Sequence, residues 1–357
     1  MFKKSLAIPC AVAAALGAWG TALADVPMPT VGGKVYADLT NIDQTNNGTD
    51  TAASGTGADV KRFYLILNES FDSMWSAKLE TDATYNSGQQ VDVYMKNAWL
   101  QASLSKAFWV RLGESDMPWI PFDEGVYNFR FVENTLIDRL HFGNSADWGL
   151  HVGGDIDGKL LSYQVSAVNG AGYKNPTRSK DMDLEGRVSL QPITGVILAI
   201  GGYSGKLGKD VNATPPVAIY HTANRVDALA AYVNSGFRVG VEYFSANDWT
   251  TVTKSASDKS NGTSVFASYD FTPMVGVFGR WDQAKLSQDL APGLKDQYFN
   301  LGVVTHPIKN VDVALVYKHE KIDGGPTTAT FSTTDGSAFN EADGKYDEIG
   351  LWAQVAF

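Results

Sequence analysis

The chain has a single cysteine, Cys10, and it lies in a stretch read below as a removed leader. The mature protein therefore has neither a disulfide framework nor a thiolate metal site. No window reaches about 18 consecutive apolar residues, which excludes a membrane-spanning helix. Histidine is scarce: five residues, at 141, 151, 221, 306 and 319, with no His-Glu-x-x-His or paired-Cys spacing to hold zinc. No metal and no cofactor are expected. Basic residues are the minority, 29 against 39 acidic, so nucleic acid is not an expected partner. Gly201 to Leu207 superficially resembles a phosphate loop, but its spacing is wrong and leucine stands where Ser or Thr is needed. Heptads, internal repeats and low-complexity domains are absent too.

What is present begins at the amino terminus. Lys3 and Lys4 precede an apolar run from Leu6 to Trp19, and Ala22-Leu23-Ala24 supplies a small-x-small cleavage site before Asp25. This predicts a signal peptide over 1–24, export, and a mature domain over 25–357. At the other end, Ile349, Leu351, Ala353, Val355 and Phe357 fall on one face of an extended strand, because side chains alternate with period two. An apolar-faced last strand with a terminal aromatic resembles the closing strand of bacterial outer-membrane barrels. The resemblance implies that Phe357 is read by the barrel assembly machinery and that lipid is the surrounding solvent.

Alternation and turn signals predict strands at 32–41, 59–70, 74–85, 91–104, 107–115, 147–156, 159–170, 181–191, 194–206, 218–233, 236–247, 262–271, 274–285, 296–306, 310–320 and 345–357. These sixteen can close antiparallel without an open edge. Their connections alternate in length. Tight turns such as Asp157-Gly158, Ser235-Gly236, Thr272-Pro273 and Pro307-Ile308-Lys309 follow even strands, and most odd strands end in long polar loops. A transmembrane antiparallel β-barrel with a periplasmic and an exterior rim has this asymmetry. Residues 45–58 are read as a flexible outer loop. In the third strand Trp75, Ala77 and Leu79 oppose Ser76, Lys78, Glu80 and Asp82, and in the eighth Leu184, Val188 and Leu190 oppose Asp183, Glu185 and Arg187. An outward Arg187 at mid-membrane would cost roughly 2–4 kcal/mol, which pins the register. The fourth strand changes phase near Asn97, as a bulge would make it. Trp352 falls on the inward face without explanation. Aromatics near strand ends, among them Trp75, Tyr85, Trp109, Tyr203, Tyr232, Tyr243, Tyr269 and Tyr298, are read as interfacial girdles.

The segment 116–146 is long, and too aromatic for a surface tip. It is expected to fold into the barrel, packing its apolar residues on the wall and presenting Asp116, Asp123, Glu124, Arg130, Glu133, Asp138 and Arg139 to an aqueous lumen as the constriction. Arg111 adjoins its start. Arg62, Lys78, Arg187, Arg238 and Arg280 fall at mid-strand as candidate pore-wall cations, with Lys96 and Lys318. Rings of Lys or Arg favour anions and rings of Asp or Glu favour cations.

The run Val110-Arg111-Leu112-Gly113, Pro121-Phe122, Glu124, Phe131-Val132-Glu133-Asn134, Asp147-Trp148-Gly149-Leu150, Gly153-Gly154, Leu161-Ser162-Tyr163-Gln164-Val165 and Val168-Asn169-Gly170 resembles the phosphate-selective porin O and P family across 107–175. That resemblance implies a sixteen-stranded homotrimeric outer-membrane channel whose third loop folds inward, passing small hydrophilic solutes or ions, anions such as phosphate among them, without a cofactor and without enzymatic activity. The segment 116–146 departs from a phosphate-selecting constriction, having two arginines, no lysine and five carboxylates. Ion preference stays open at this level. Three rival readings stand beside the channel: an enzymatic lipase-like barrel using His141 or His151 with a serine, a non-conducting structural or adhesive barrel, and a soluble exported β-protein.

Overall fold

The computed structural model describes residues 28–85, 91–211, 215–324, 329–330, 338–339 and 343–357. The leader read at 1–24 and the connection 86–90 lie outside the described residues.

Period-two alternation is realised in sixteen long strands: β1 (Thr30–Asn46), β2 (Gly55–Ser70), β3 (Trp75–Tyr85), β4 (Val91–Ser105), β5 (Phe108–Asp116), β6 (Ala146–Ile156), β7 (Leu161–Val168), β8 (Asp183–Leu190), β9 (Val196–Gly205), β10 (Ala223–Val233), β11 (Phe237–Asn247), β12 (Lys259–Thr272), β13 (Val275–Lys285), β14 (Lys295–Ile308), β15 (Val311–Asp323) and β16 (Gly344–Ala356). Each pairs antiparallel with its sequence neighbour, and β1 also pairs with β16, from Lys34 opposite Ala356 to Asn46 opposite Gly344. The sheet closes on itself and leaves no edge. Each of the sixteen overlaps one read from alternation, though the first runs on to Asn46 and the tenth begins only at Ala223. The residues read as a flexible loop at 45–58 are mostly paired instead, since β1 runs on to Asn46, Thr49–Asp50 pairs with its end, and β2 begins at Gly55. Phe357 completes the seam. Its backbone N–H donates to the Gly33 carbonyl (3.0 Å) and its carbonyl accepts from Gly33 N–H (2.9 Å). Its ring occupies the space that a Cβ on Gly33 would need.

Outward positions such as Leu112, Ile200, Val226, Leu301 and Ile349 are exposed and apolar, whereas inward positions such as Asp227, Glu242, Asp282 and Glu320 are buried and charged. Water lies on the wrong side for a soluble protein. No described helix is long and apolar enough to cross a membrane, and the strands present the apolar belt instead.

Two bulges mark the wall of β1 to β4. Tyr36 pairs with Arg62 but Ala37 with Val60, and Glu80 pairs with Asn97 but Thr81 with Met95. The skipped residues are Lys61 and Lys96. A bulge lets two successive side chains face one side, and here each brings a lysine to the inner face beside Arg62 and Asn97. The phase change near Asn97 is thereby explained. The girdle reading needs correction at three positions. Tyr203 and Tyr298 are buried on the inner face, and the Trp109 ring lies 4.7 Å from the Arg111 guanidinium carbon. Tyr232, Tyr243 and Tyr269 do face outward.

Candidate constriction site

Between β5 and β6 the chain leaves the wall and fills the cylinder with α1 (Ile120–Tyr127), α2 (Leu136–Arg139) and the turns around them. Its apolar side chains, among them Trp119, Ile120, Leu136 and Ile137, are buried completely. The wall receives them through a repeated device: an inward phenylalanine lies across a cross-strand glycine, and a loop aromatic packs on that phenylalanine. Phe278 covers Gly302 and stacks on Phe129 at 4.0 Å. Phe266 covers Gly240 and meets Tyr127 edge-on at 5.5 Å. Phe244 covers Gly262 and packs on Phe142 at 4.8 Å. At Gly201 the wall is bare, and the Trp119 indole fills the space. This inner core also accounts for Trp352, which points inward because protein fills that side of the lumen.

Charge fixes the same attachment. Arg139 donates from Nε to Asp282 (3.0 Å), from Nη2 to Asp296 (2.6 Å) and from Nη1 to Glu320 (2.7 Å), and all four side chains are sealed from solvent. Arg280 adds two bonds to Asp282. Lys318 bridges Glu133 of the loop (3.3 Å) and Glu348 of β16 (3.1 Å). Arg225 pairs with Asp227 and Glu185 and donates to the Phe142 carbonyl. Trp119 donates its backbone N–H to Glu185 (3.0 Å) and its indole N–H to Glu242 (2.9 Å). Asp123 is buried beside Thr135 and Glu242, and burial pushes its carboxyl up to about 7.

The loop thus grips β8 to β16 and turns a partly open, charged face toward the opposite wall. On that face Arg130 pairs with Glu124 (2.5 Å) and Asp138 (3.7 Å); on the wall opposite, Arg62 pairs with Asp82 (2.7 Å) and Lys78 with Glu80. Several inward cations have no carboxylate within ion-pair distance among the described residues, Arg111, Arg187, Arg238 and Lys96 among them. Arg111 donates to Gln101 and Ser115 and stacks on Trp99 at 4.1 Å. Arg187 donates to the Pro118 carbonyl and Ser189 and lies over Phe122 at 4.0 Å. Arg238 donates to the Val126 carbonyl (3.0 Å). Lys96 lies over the Tyr64 ring at 5.0 Å.

Comparison with solved structures covers nearly the whole chain. The anion-selective porin of Comamonas acidovorans superposes with a TM-score of 0.64 at 12% identity, over 92% of this chain and 99% of that one. The outer-membrane channel DcaP of Acinetobacter baumannii gives 0.62 at 14%, over 92% and 97%. OmpT of Vibrio cholerae in its trimer form gives 0.58 at 14%, over 93% and 100%. The fold is that of bacterial outer-membrane porins. No family model matches the chain, and no curated protein does.

Within this porin fold the eight residues read as the constriction fall into two groups. Arg111, Asp116, Glu124, Arg130 and Asp138 keep partial access to solvent, with Asp116 accepting from the Asn97 amide. Asp123, Glu133 and Arg139, expected in the aqueous lumen, are buried against the wall. Arg280 and Arg187, expected to line the pore, are buried as well, Arg280 because the loop covers β13 and Arg187 because the Pro118 carbonyl and the Phe122 ring lie against it. Sequence reading missed Arg225 and Lys61 altogether. Strand alternation places Arg225 inward with Asp227, which was a usable signal, whereas the bulge that turns Lys61 inward leaves no mark in the hydropathy pattern. The serine partner sought for a lipase-like site exists as Ser166, whose Oγ lies 2.8 Å from His151 Nδ1. Both residues are fully buried, and the other ring nitrogen has no partner among the described residues, so neither substrate access nor an orienting carboxylate is present.

Proposed function

We propose that this chain is an outer-membrane channel for passive diffusion of small hydrophilic solutes, with a preference for anions, and that it is not an enzyme. The observation that carries the reading is the imbalance at the constriction. Three of the five loop carboxylates, Glu124, Glu133 and Asp138, are paired with cations, Asp123 is buried, and Asp116 is held by the Asn97 amide. Lys96, Arg111, Arg187 and Arg238 have only neutral groups in direct contact, with Asp116 acting on Lys96 and Arg111 from beyond ion-pair distance. Arg111 and Arg187 near mid-strand and Arg238 at the tight-turn end of its strand are taken together as a basic arc of the inner wall. A permeating anion that reaches Arg111 and Arg238 meets positive charge with no ion-paired carboxylate. The Comamonas neighbour's description as anion-selective supports the same direction. Phosphate as the cargo rests on the sequence resemblance alone.

The reversal potential of the purified protein in a planar bilayer under a potassium chloride gradient tests this. Chloride is expected to permeate better than potassium. Removing one charge near a permeating ion shifts its energy by about 1 kcal/mol at 4 Å in water, so Arg111→Gln should lower the anion-to-cation ratio about fivefold and the triple Gln variant of the arc should abolish it. A wild-type preference for potassium would overturn the reading.

Export through a leader cleaved after Ala24, assembly guided by Phe357 and a homotrimeric state complete the proposal. The trimer form of the Vibrio neighbour supports the last. Amino-terminal sequencing and the mass of the detergent-solubilised complex check the first and the third.

A further inference from the structure

We infer that the exterior side of the constriction carries a built binding site for small neutral polyhydroxylated solutes, a vestibule where cargo pauses before the bore. This rests on the reading of the chain as a channel. A cavity of about 680 Å³ opens where four connections converge: the constriction loop and those following β7, β9 and β11. That size lies in the range of ordinary small-molecule sites. Its polar lining includes Asn144, Asn175, Thr177, Lys209 and Thr250, beside the indole of Trp249. No carboxylate lines it, in a molecule whose bore is otherwise crowded with them. Amides and hydroxyls that both donate and accept, set beside the half-buried Trp249 indole, match the alternating C–H and O–H surface of a polyol.

The carboxylates near the site serve to hold its walls. Asp147 accepts from the backbone of Gly170 (2.9 Å) and Gly172 (3.0 Å). Asp183 accepts from Lys206 (2.7 Å) and Leu207 (2.8 Å). Asp248 accepts from Thr251 (3.0 Å), Ser257 (2.7 Å) and Asp258 N–H (3.2 Å). The Trp249 indole N–H donates to the His141 carbonyl (2.9 Å), and its ring packs on Tyr203 at 5.0 Å. Three non-glycine residues at the rim, His141, Leu207 and Asp248, have positive φ, and at Leu207, whose side chain disfavours that conformation, surrounding contacts must impose it. The walls are therefore set before a solute arrives, which lowers the ordering cost of binding.

The full mature protein in a planar bilayer, with glucose as the probe, tests the inference. Glucose added on the long-loop side should reduce the ion current saturably. In the Asn175→Ala/Thr250→Val double variant and in Trp249→Ala, the half-blocking concentration, normalised to each variant's own sugar-free current, should rise about tenfold, the equivalent of about 1.4 kcal/mol. Saturation-transfer NMR of glucose on the detergent-solubilised protein gives a second readout, and transfer should be lost in the double variant. Block no greater than bulk viscosity explains, block equal in wild type and variants, or block by gluconate but not glucose would each overturn it. An anion-preferring channel indifferent to glucose sinks the vestibule alone; a cation-preferring channel still blocked by glucose sinks the selectivity reading alone.

Discussion

Two arginines of one loop, nine positions apart, live in different solvents. Arg139 is 0% exposed and held by Asp282, Asp296 and Glu320, each equally sealed. Arg130 keeps 16% of its side chain exposed, and its partners Glu124 and Asp138 keep 15% and 17%. Burial removes the screening that makes exposed ion pairs nearly neutral in stability, and it also makes a broken pair expensive. The same residue type therefore anchors on one side of the loop and tunes the bore on the other. The sharpest break of that contrast is Arg139→Ala. It leaves three buried carboxylates around a void, and removing one partner of a buried pair costs about 3–5 kcal/mol. The expected outcome is a loop freed from β13 to β15, read as lower thermal stability and larger, noisier single-channel currents.

Asp123 carries the sealed side's next largest effect, on the order of a few kcal/mol across its pH window. Its folded value, about 7, lies above the ordinary carboxylate value because burial disfavours the charged form. The folded state then binds the proton more tightly than the unfolded chain. Its stabilising contribution is fully present below about pH 4 and is lost as pH rises through about 7. Thermal unfolding followed by tryptophan fluorescence should give a higher midpoint at pH 5 than at pH 8, and Asp123→Asn should reduce that difference. An equal pH slope in the variant would assign the effect elsewhere.

A steric change on the sealed side should rank third. A Cβ on Gly302 would lie 2.5 Å from the Phe278 ring, which in turn stacks on Phe129. Gly302→Ala should cost about 1–3 kcal/mol through overpacking and broaden the conductance distribution without altering ion preference.

The barrel was legible because its determinants are local: alternation sets each strand, and turn residues and loop lengths set the rims. All sixteen strands, the seam with Phe357 and the insertion between β5 and β6 followed from those signals. The division of the loop charges did not. Which carboxylate meets Arg139 depends on pairing between residues more than a hundred positions apart, and nothing local distinguishes Arg139 from Arg130. The wall glycines were equally silent, since Gly201, Gly240, Gly262 and Gly302 gain meaning only when a ring from a neighbouring strand or the loop lies over them. Aromatics misled for the same reason. Tyr203 and Tyr298 have strong β-propensity and sit near strand ends, but a filled lumen gives an aromatic two apolar destinations, and sequence supplies no means to choose.

The smallest stability effect belongs to Arg130, and it separates anchoring from tuning most cleanly. Its pairs keep some water, so Arg130→Gln should change stability by about 1 kcal/mol, less than any change on the sealed side. Its removal nevertheless leaves Glu124 and Asp138 without their cation at the face of the loop that looks onto the bore. Negative charge uncovered there should raise cation passage and shift the reversal potential toward that of potassium, in the same direction as Arg111→Gln but with little loss of heat resistance. Restoring the charge with Arg130→Lys should recover most of the selectivity, because a point charge suffices to neutralise the pair even without the planar fork of the guanidinium. A variant that loses stability as Arg139→Ala does would place Arg130 among the anchors and erase the distinction between the two faces.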